Sequence, residues 1–307
     1  MNDASPTQSI NDPVALQPPL GAGSVRLKID CELNYETTGD SEFIFLIQAA
    51  LHNDQTVVQE SLRLDPPIPY RSFVHEPSGN RFLRVRALGG PLQVQYNAIV
   101  DRSAGHPDIL APEVPVHAIP DEVMRFLLPS RYCESDLLGP VAQQMFAGLP
   151  TGYSRVRAVC DWVHDNVTYQ IGSTNATTTS NDVFSQRMGV CRDYAHLALT
   201  FCRALNIPAR LVSVYAHFDE PPPDFHAIFE AFVGGKWVLF DPSGMAPVDQ
   251  VVRLANGRDA KDVAFATIYG PARMVSMSPV LTCIGGSASA GSDVAAPVQS
   301  ASTAVAA

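Results

Sequence analysis

The stretch Arg187–Phe201, RMGVCRDYAHLALTF, sets a cysteine between a glycine and a strongly helical apolar run. Gly189 is a natural stop for a preceding helix, so Cys191 is expected in the first turn of the next one. N–H groups left unpaired at a helix start, with the positive end of the helix dipole, favour a thiolate over a thiol. Taken alone, such a cysteine reads first as a small buried hydrophobe, which is the natural reading of Cys202 on the same helix. Partners must decide. Of the eight histidines, His52, His75 and His106 fall in or beside a strand-rich region. His117 falls in a proline-rich connector, and His164 and His196 in helices. His196 is five residues beyond Cys191 and well around the helix cylinder from it. His217, ahead of the loop FDEPPPD, and His226, at the start of a strand, remain.

The strand at His226 permits a geometric test. HAIFEAFV and KWVLFDP are joined by Gly234-Gly235, a strong two-residue hairpin signal. Closing that hairpin pairs Val233 with Lys236, Phe232 with Trp237, Glu230 with Leu239 and Ile228 with Asp241. His226 then shares a face with Asp241 as a diagonal neighbour, about 7–8 Å away at the backbone and within side-chain reach. A thiol, an imidazole and a carboxylate in this order suit acyl transfer. The thiolate attacks an acyl carbon, the imidazole shuttles the proton, and the carboxylate orients the imidazole. A metal site built from His226, Asp241 and Asp224 is a weaker reading, because ligand spacing and count are poor.

The elements that must position these groups follow from hydrophobic period. From Ser24 to about Arg102 the sequence alternates: Val25, Leu27, Ile29, Cys31, Leu33 and Tyr35 share one face, and FLRVRA and LQVQYNAIV repeat the pattern. The run SEFIFLIQAAL between them is undecided. An antiparallel β-domain over 24–105 is expected, after a flexible N-terminus (1–23). A stiff connector over 106–120 follows, carrying Pro107, Pro112, Pro115 and Pro120. The period then changes: Val156, Val159, Val163 and Val167 make a helical stripe. Asp182 is a candidate cap for a short helix ending near Gly189. The cysteine-bearing helix and the strands ARLVSVYAH, HAIFEAFV and KWVLFDP complete a second domain over 121–284. The Ala/Ser/Gly-rich tail 285–307 is expected to be disordered.

Composition narrows the class. Of 307 residues, 46% are hydrophobic and 17% charged, with a formal net charge of −10 and no lysine/arginine block. That argues against nucleic acid or an anionic membrane as partner. No secretory leader or bilayer-length apolar run is visible. The six cysteines (Cys31, Cys133, Cys160, Cys191, Cys202, Cys283) form no CxxC pair, which suits neither a disulfide framework nor a zinc site. A reducing, cytoplasmic setting is expected.

GVCRDYAHLALTFCRALNIPAR, DFHAIFEAFVGGKWVLFDPSG and GRDAKDVAFATIYG, with RFLLPSRYCESD and the strand-rich first region, resemble the bacterial transglutaminase-like cysteine protease family. The resemblance runs from about residue 24 to about 283. It implies an α+β fold: an antiparallel β-domain, then a papain-like, transglutaminase-like core in which a cysteine-bearing helix packs on an antiparallel sheet. It carries the family's catalytic cysteine onto Cys191, its histidine onto His226 and its aspartate onto Asp241, none of them substituted. The implied activity is attack on a peptide or carboxamide bond through a thioester. Water as acceptor makes a cysteine protease or amidase, and an amine makes a protein-crosslinking transglutaminase. Hydrolysis is favoured, since water is always present and no amine-binding feature is visible. The implied partner is a peptide or protein substrate, and no metal or organic cofactor is implied. The oxyanion hole is expected to use the Cys191 N–H and one donor among Tyr169, Gln170 and Gln186. Arg258 and Asp259 could face the cleft, but a helix cap at Asp259 and an internal pair for Arg258 are favoured. A rival from another class is a non-catalytic protein-interaction module, against which the intact triad counts.

Overall fold

The computed structural model describes residues 20, 21, 23–103, 105, 107–217 and 223–286. The expected flexible N-terminus, up to residue 19, and the expected tail from 287 lie outside the described residues, as does His106.

The first region supplies six strands: β1 (Ser24–Thr37), β2 (Ser41–Phe45), β3 (Gln55–Asp65), β4 (Tyr70–His75), β5 (Asn80–Ala87) and β6 (Gly90–Ser103). The undecided run SEFIFLIQAAL is strand only over β2. β1 buries the face read from the alternation, Val25 to Tyr35. The connector carries one turn of 3-10 helix at Val116–Ala118. The second region then runs α1 (Asp121–Met124), α2 (Gly139–Phe146), α3 (Tyr153–Asn166), β7 (Thr168–Tyr169), α4 (Ser180–Gln186), β8 (Met188–Gly189), α5 (Cys191–Ala204), β9 (Ala209–Tyr215), β10 (His226–Val233), β11 (Lys236–Phe240), β12 (Val252–Gly257) and α6 (Ala260–Val263). Two more strands follow, β13 (Ala266–Tyr269) and β14 (Ala272–Gly285).

Those last strands differ from the expected division. β14 pairs antiparallel with β1 and β13 with β2, giving sheets ordered β14-β1-β6-β3 and β13-β2-β5-β4. Residues 266–285 therefore complete the first region rather than continue the second. The two sheets enclose one apolar cluster that includes Ile29, Leu33, Phe43, Phe45, Leu83, Val94 and Leu281. Pro279 sits within β14 opposite Cys31. It is tolerated because β14 is an edge strand, where a missing N–H disrupts no further ladder.

The third sheet, ordered β11-β10-β9-β12, carries α5 on one side. Val156, Val159 and Val163 of α3 pack with Ala195, Leu199 and Phe201 of α5 and Phe229 of β10 in a second core. The other side of this sheet also meets apolar neighbours: Val212, Val214, Ile228 and Leu239 cluster with Ala246 and Val251, while Tyr215, Val252 and Leu254 join the cluster of the first region. β9 is consequently buried at every position and β10 at all but one. A strand covered on both faces reads as a continuous apolar run rather than an alternation. Each fully buried side chain such as Phe229 contributes about 1.5–3 kcal/mol.

Helix ends are set by different residues than expected. Thr179, not Asp182, is the N-cap of α4; Asp182 reaches back to the Thr179 N–H at 2.9 Å, completing a capping box. α4 ends at Arg187, whose φ of 60° is left-handed, ahead of Gly189. Gly189 is required for another reason: a Cβ there would lie 2.7 Å from the Cβ of Asp193.

Candidate active site

The hairpin closes in the expected register, with Val233 opposite Lys236, Phe232 opposite Trp237, Glu230 opposite Leu239 and Phe229 opposite Phe240. Gly234 and Gly235 turn it at φ values of 60° and 77°, both in the left-handed region that favours glycine. One step beyond the ladder, His226 Nε2 and Asp241 Oδ2 lie 2.9 Å apart, with both side chains at most 3% exposed. Asp241 is held firmly. Its Oδ1 accepts from the Ser243 N–H (2.9 Å) and hydroxyl (2.6 Å), and its Oδ2 from the Ala246 N–H (3.0 Å). Burial opposes ionisation of Asp241, but the His226 bond and charge and these donors outweigh it and keep its pKa low.

Cys191 opens α5 and is half-buried. With Nε2 taken by Asp241, Nδ1 is the ring nitrogen left for the thiol, which lies within hydrogen-bond reach of His226. Burial disfavours the imidazolium, yet the bonds to Asp241 and Cys191 win and raise the His226 pKa to about 10. Four other cysteines lie within the two cores. Burial pushes the thiols of Cys31 and Cys133 up to about 12 and 11, and those of Cys160 and Cys202 up as well.

Tyr169 reaches the same point by a separate route. β7 and β8 form a two-stranded parallel ladder with Tyr169 opposite Gly189, fixed by Thr168 N–H to Arg187 O (2.8 Å) and Gln170 N–H to Gly189 O (2.9 Å). Its hydroxyl is thereby brought beside Cys191, whose backbone N–H and thiol both act on it. Burial, then Cys191, raise the pKa of that phenol, so it stays a donor. Of the three oxyanion candidates, Gln170 and Gln186 are exposed, and Tyr169 is the half-buried one beside Cys191.

The start of α5 is anchored by a residue that sequence reasoning missed. Asp193 is 1% exposed, and its Oδ2 accepts from the Val190 N–H (3.0 Å) and the Thr174 hydroxyl (2.6 Å). Arg192 donates to its Oδ1 (2.9 Å) and to the Asn175 carbonyl (3.1 Å), binding the 174–175 loop to the helix start. An acid at the third helical position is the available signal, since it satisfies N–H groups at the cap. The remaining candidates are structural. His196 stacks on Tyr132 at 5.1 Å and accepts from the Ala260 N–H (3.1 Å), and burial lowers its pKa to about 3. Asp259 caps α6 through Lys261 N–H (2.9 Å) and Arg258 pairs with Asp262 (2.9 Å). Among the described residues, no group of three His, Cys, Asp or Glu side chains is placed to hold a metal ion. Nor is any helix there long and apolar enough to cross a membrane.

Comparison with known proteins agrees with this architecture. The family described as the transglutaminase-like superfamily matches residues 140–242, and the bacterial transglutaminase N-terminal domain matches residues 25–121. A solved structure of a candidate cysteine protease from Cytophaga hutchinsonii is 37% identical, with a TM-score of 0.82 over 87% of this chain and 93% of that one. An uncharacterised protein of Mycobacterium tuberculosis is 28% identical over 246 residues, 68% of this chain and 75% of the other. One from Mycobacterium leprae is 28% identical over 194 residues, 59% of this chain and 68% of the other. The chain belongs to the transglutaminase-like superfamily, with the bacterial transglutaminase N-terminal domain ahead of the core.

Proposed function

We propose that the chain is a thiol hydrolase of peptide or carboxamide bonds, working through Cys191, His226 and Asp241. The observation that carries this reading is buried His226, its Nε2 2.9 Å from the Asp241 carboxylate and the Cys191 thiol near enough to raise its pKa. In the first half-reaction Cys191 Sγ bonds to the acyl carbon, its proton residing on His226. The carbonyl oxygen becomes an oxyanion held by the Cys191 N–H and the Tyr169 hydroxyl beside it. His226 then protonates the leaving nitrogen as the C–N bond breaks, leaving a thioester and a neutral imidazole. In the second half-reaction His226 takes a proton from water as its oxygen bonds to the thioester carbon. The Cys191–acyl bond breaks, the acid leaves and the resting pair returns. Asp241 stabilises the imidazolium in both halves and fixes which nitrogen meets the thiol. The candidate cysteine protease among the structural relatives supports the same reaction class.

The test is a mixed peptide library digested with and without added primary amines, alongside alkylation of the native protein by iodoacetamide. The reading expects Cys191 to be modified first among the six cysteines and cleaved rather than amine-linked products. Six equally sluggish cysteines would contradict it, and products formed only with amine would move the reaction to transglutamination.

A further inference from the structure

Ile171 stands two residues beyond Tyr169 and is 68% exposed. Single exposed apolar side chains are ordinary on a protein surface, but the position of this one is not. β7 and β8 run parallel, with Thr168 opposite Met188 and Tyr169 opposite Gly189. Carried two residues past that ladder, the same register sets Ile171 level with Cys191. Paired strands stand about 4.8 Å apart there, before one chain turns and the other becomes α5. The bond from the Gln170 N–H to the Gly189 carbonyl, 2.9 Å, holds the two chains together up to that point. Ser173 closes the turn that follows: its N–H and its hydroxyl both donate to the Gln170 carbonyl, at 3.3 and 2.8 Å. Gly172, third in the turn with a φ of 81°, takes the left-handed place that a type II turn requires. Beyond the turn the loop is bonded back to the helix start. Thr174 Oγ1 donates to Asp193 Oδ2 at 2.6 Å, and Arg192 Nη2 to the Asn175 carbonyl at 3.1 Å. Ile171 is therefore an exposed side chain on a turn pinned from both sides to the segment that bears the thiol. The stretch QIGSTNATTT, residues 170–179, carries no charged residue, and the guanidinium beside it is engaged by Asp193 at 2.9 Å. An apolar group that covers the isoleucine gains from the area removed from water, and a turn already ordered loses little freedom in receiving it.

We infer that Ile171 is a specificity-determining residue, an apolar subsite for the side chain on the residue that carries the attacked carbonyl. This rests on the thiol reading above and narrows its substrate class: a donor with an uncharged, apolar residue on the acyl side of the broken bond. The carbonyl keeps its place at the Cys191 N–H and the Tyr169 hydroxyl, and the side chain beside it lies outward against Ile171.

The test uses acylation of the full chain by N-acetyl-norleucine and N-acetyl-alanine p-nitrophenyl esters. Burst rates are corrected for Cys191→Ala and normalised to each ester's reaction with free cysteine. The two esters differ only in an unbranched apolar extension, so the ratio of their rates reports its recognition whatever happens to the common rate. The inference expects the wild type to favour the norleucine ester by about three- to tenfold, less than an enclosed pocket gives for the same carbons. The ratio should fall to about one in Ile171→Ser and recover in Ile171→Leu, both folded by their thermal midpoints because the side chain is exposed. A wild-type ratio near one, or a ratio that Ile171→Ser leaves in place, would overturn the subsite. Equal loss of both rates in Ile171→Ser at an unchanged ratio would assign Ile171 to support of the turn and of Tyr169, which also overturns it. No burst with either ester from the folded wild type would overturn the thiol reading itself, an outcome distinct from the others.

Discussion

Two buried ion pairs stand four residues apart on β10, and they do opposite things. Glu230, fully buried, is held by Arg210 Nε at 2.6 Å and Arg253 Nη1 at 2.5 Å, and Arg253 continues to Asp54 of the first region at 3.1 Å. Every charge in that network is occupied by another, and together they tie the third sheet to the β2–β3 connection. His226 also has a buried carboxylate, but it stands beside a half-buried thiol that helps raise its pKa. Burial alone therefore does not mark a functional pair. The informative feature is one valence left over, next to a group that can react.

The two pairs also act on opposite sides of the pH scale. Burial opposes the Glu230 charge, yet Arg253 and Arg210 lower its pKa to about 2 from an ordinary 4.5. The stability it contributes is fully present above the ordinary value and lost as pH falls through the folded one. His226 is raised to about 10 from 6.5, so its contribution is full below 6.5 and lost as pH rises through about 10.

The sharpest way to break the comparison is to remove the leftover valence. Cys191→Ala should lower turnover by about 10⁴-fold or more while leaving the thermal midpoint nearly unchanged, because a half-buried first-turn side chain packs little. A comparable fall in stability would mean that Cys191 acts through packing. Glu230→Gln should do the reverse. It leaves Arg210 and Arg253 buried with less compensation and should cost about 3–5 kcal/mol in urea unfolding. The folded fraction should still alkylate Cys191 at the wild-type rate. Tyr169→Phe should reduce kcat by about 10²–10³-fold with little change in KM if its hydroxyl holds the oxyanion; a change in KM alone would make it a binding residue. Cys202→Ala, on the same helix as Cys191, should cost about 1 kcal/mol and keep most activity.

Local features of the chain proved the most readable. The Gly234-Gly235 turn sets the register that brings His226 to Asp241, and two residues of turn chemistry were enough to count it. The helix start at Cys191 was equally local. By contrast, the pairing of β14 with β1 joins segments from the two ends of the described chain, and no short-range pattern announces such a partner. The place of residues 266–285 beside the first region therefore depends on pairing across nearly the whole described chain. Tyr169 could not be separated from Gln170 and Gln186, because the parallel β7–β8 ladder that singles it out depends on two residues from each strand. Asp193 is one more charge on a helix until the fold sets it against Gly189, which explains why that position has no side chain.

The central claim is that Asp241 holds His226 as an imidazolium against Cys191, and NMR titration of the His226 ring nitrogens tests it most directly. In the wild type, His226 should keep both ring protons through neutral pH and lose one only near pH 10. In Asp241→Asn the main favourable partner is gone and burial should pull the titration down by several pH units, toward or below the ordinary 6.5. A wild-type His226 that titrates near 6.5 and does not move in Asp241→Asn would contradict the account.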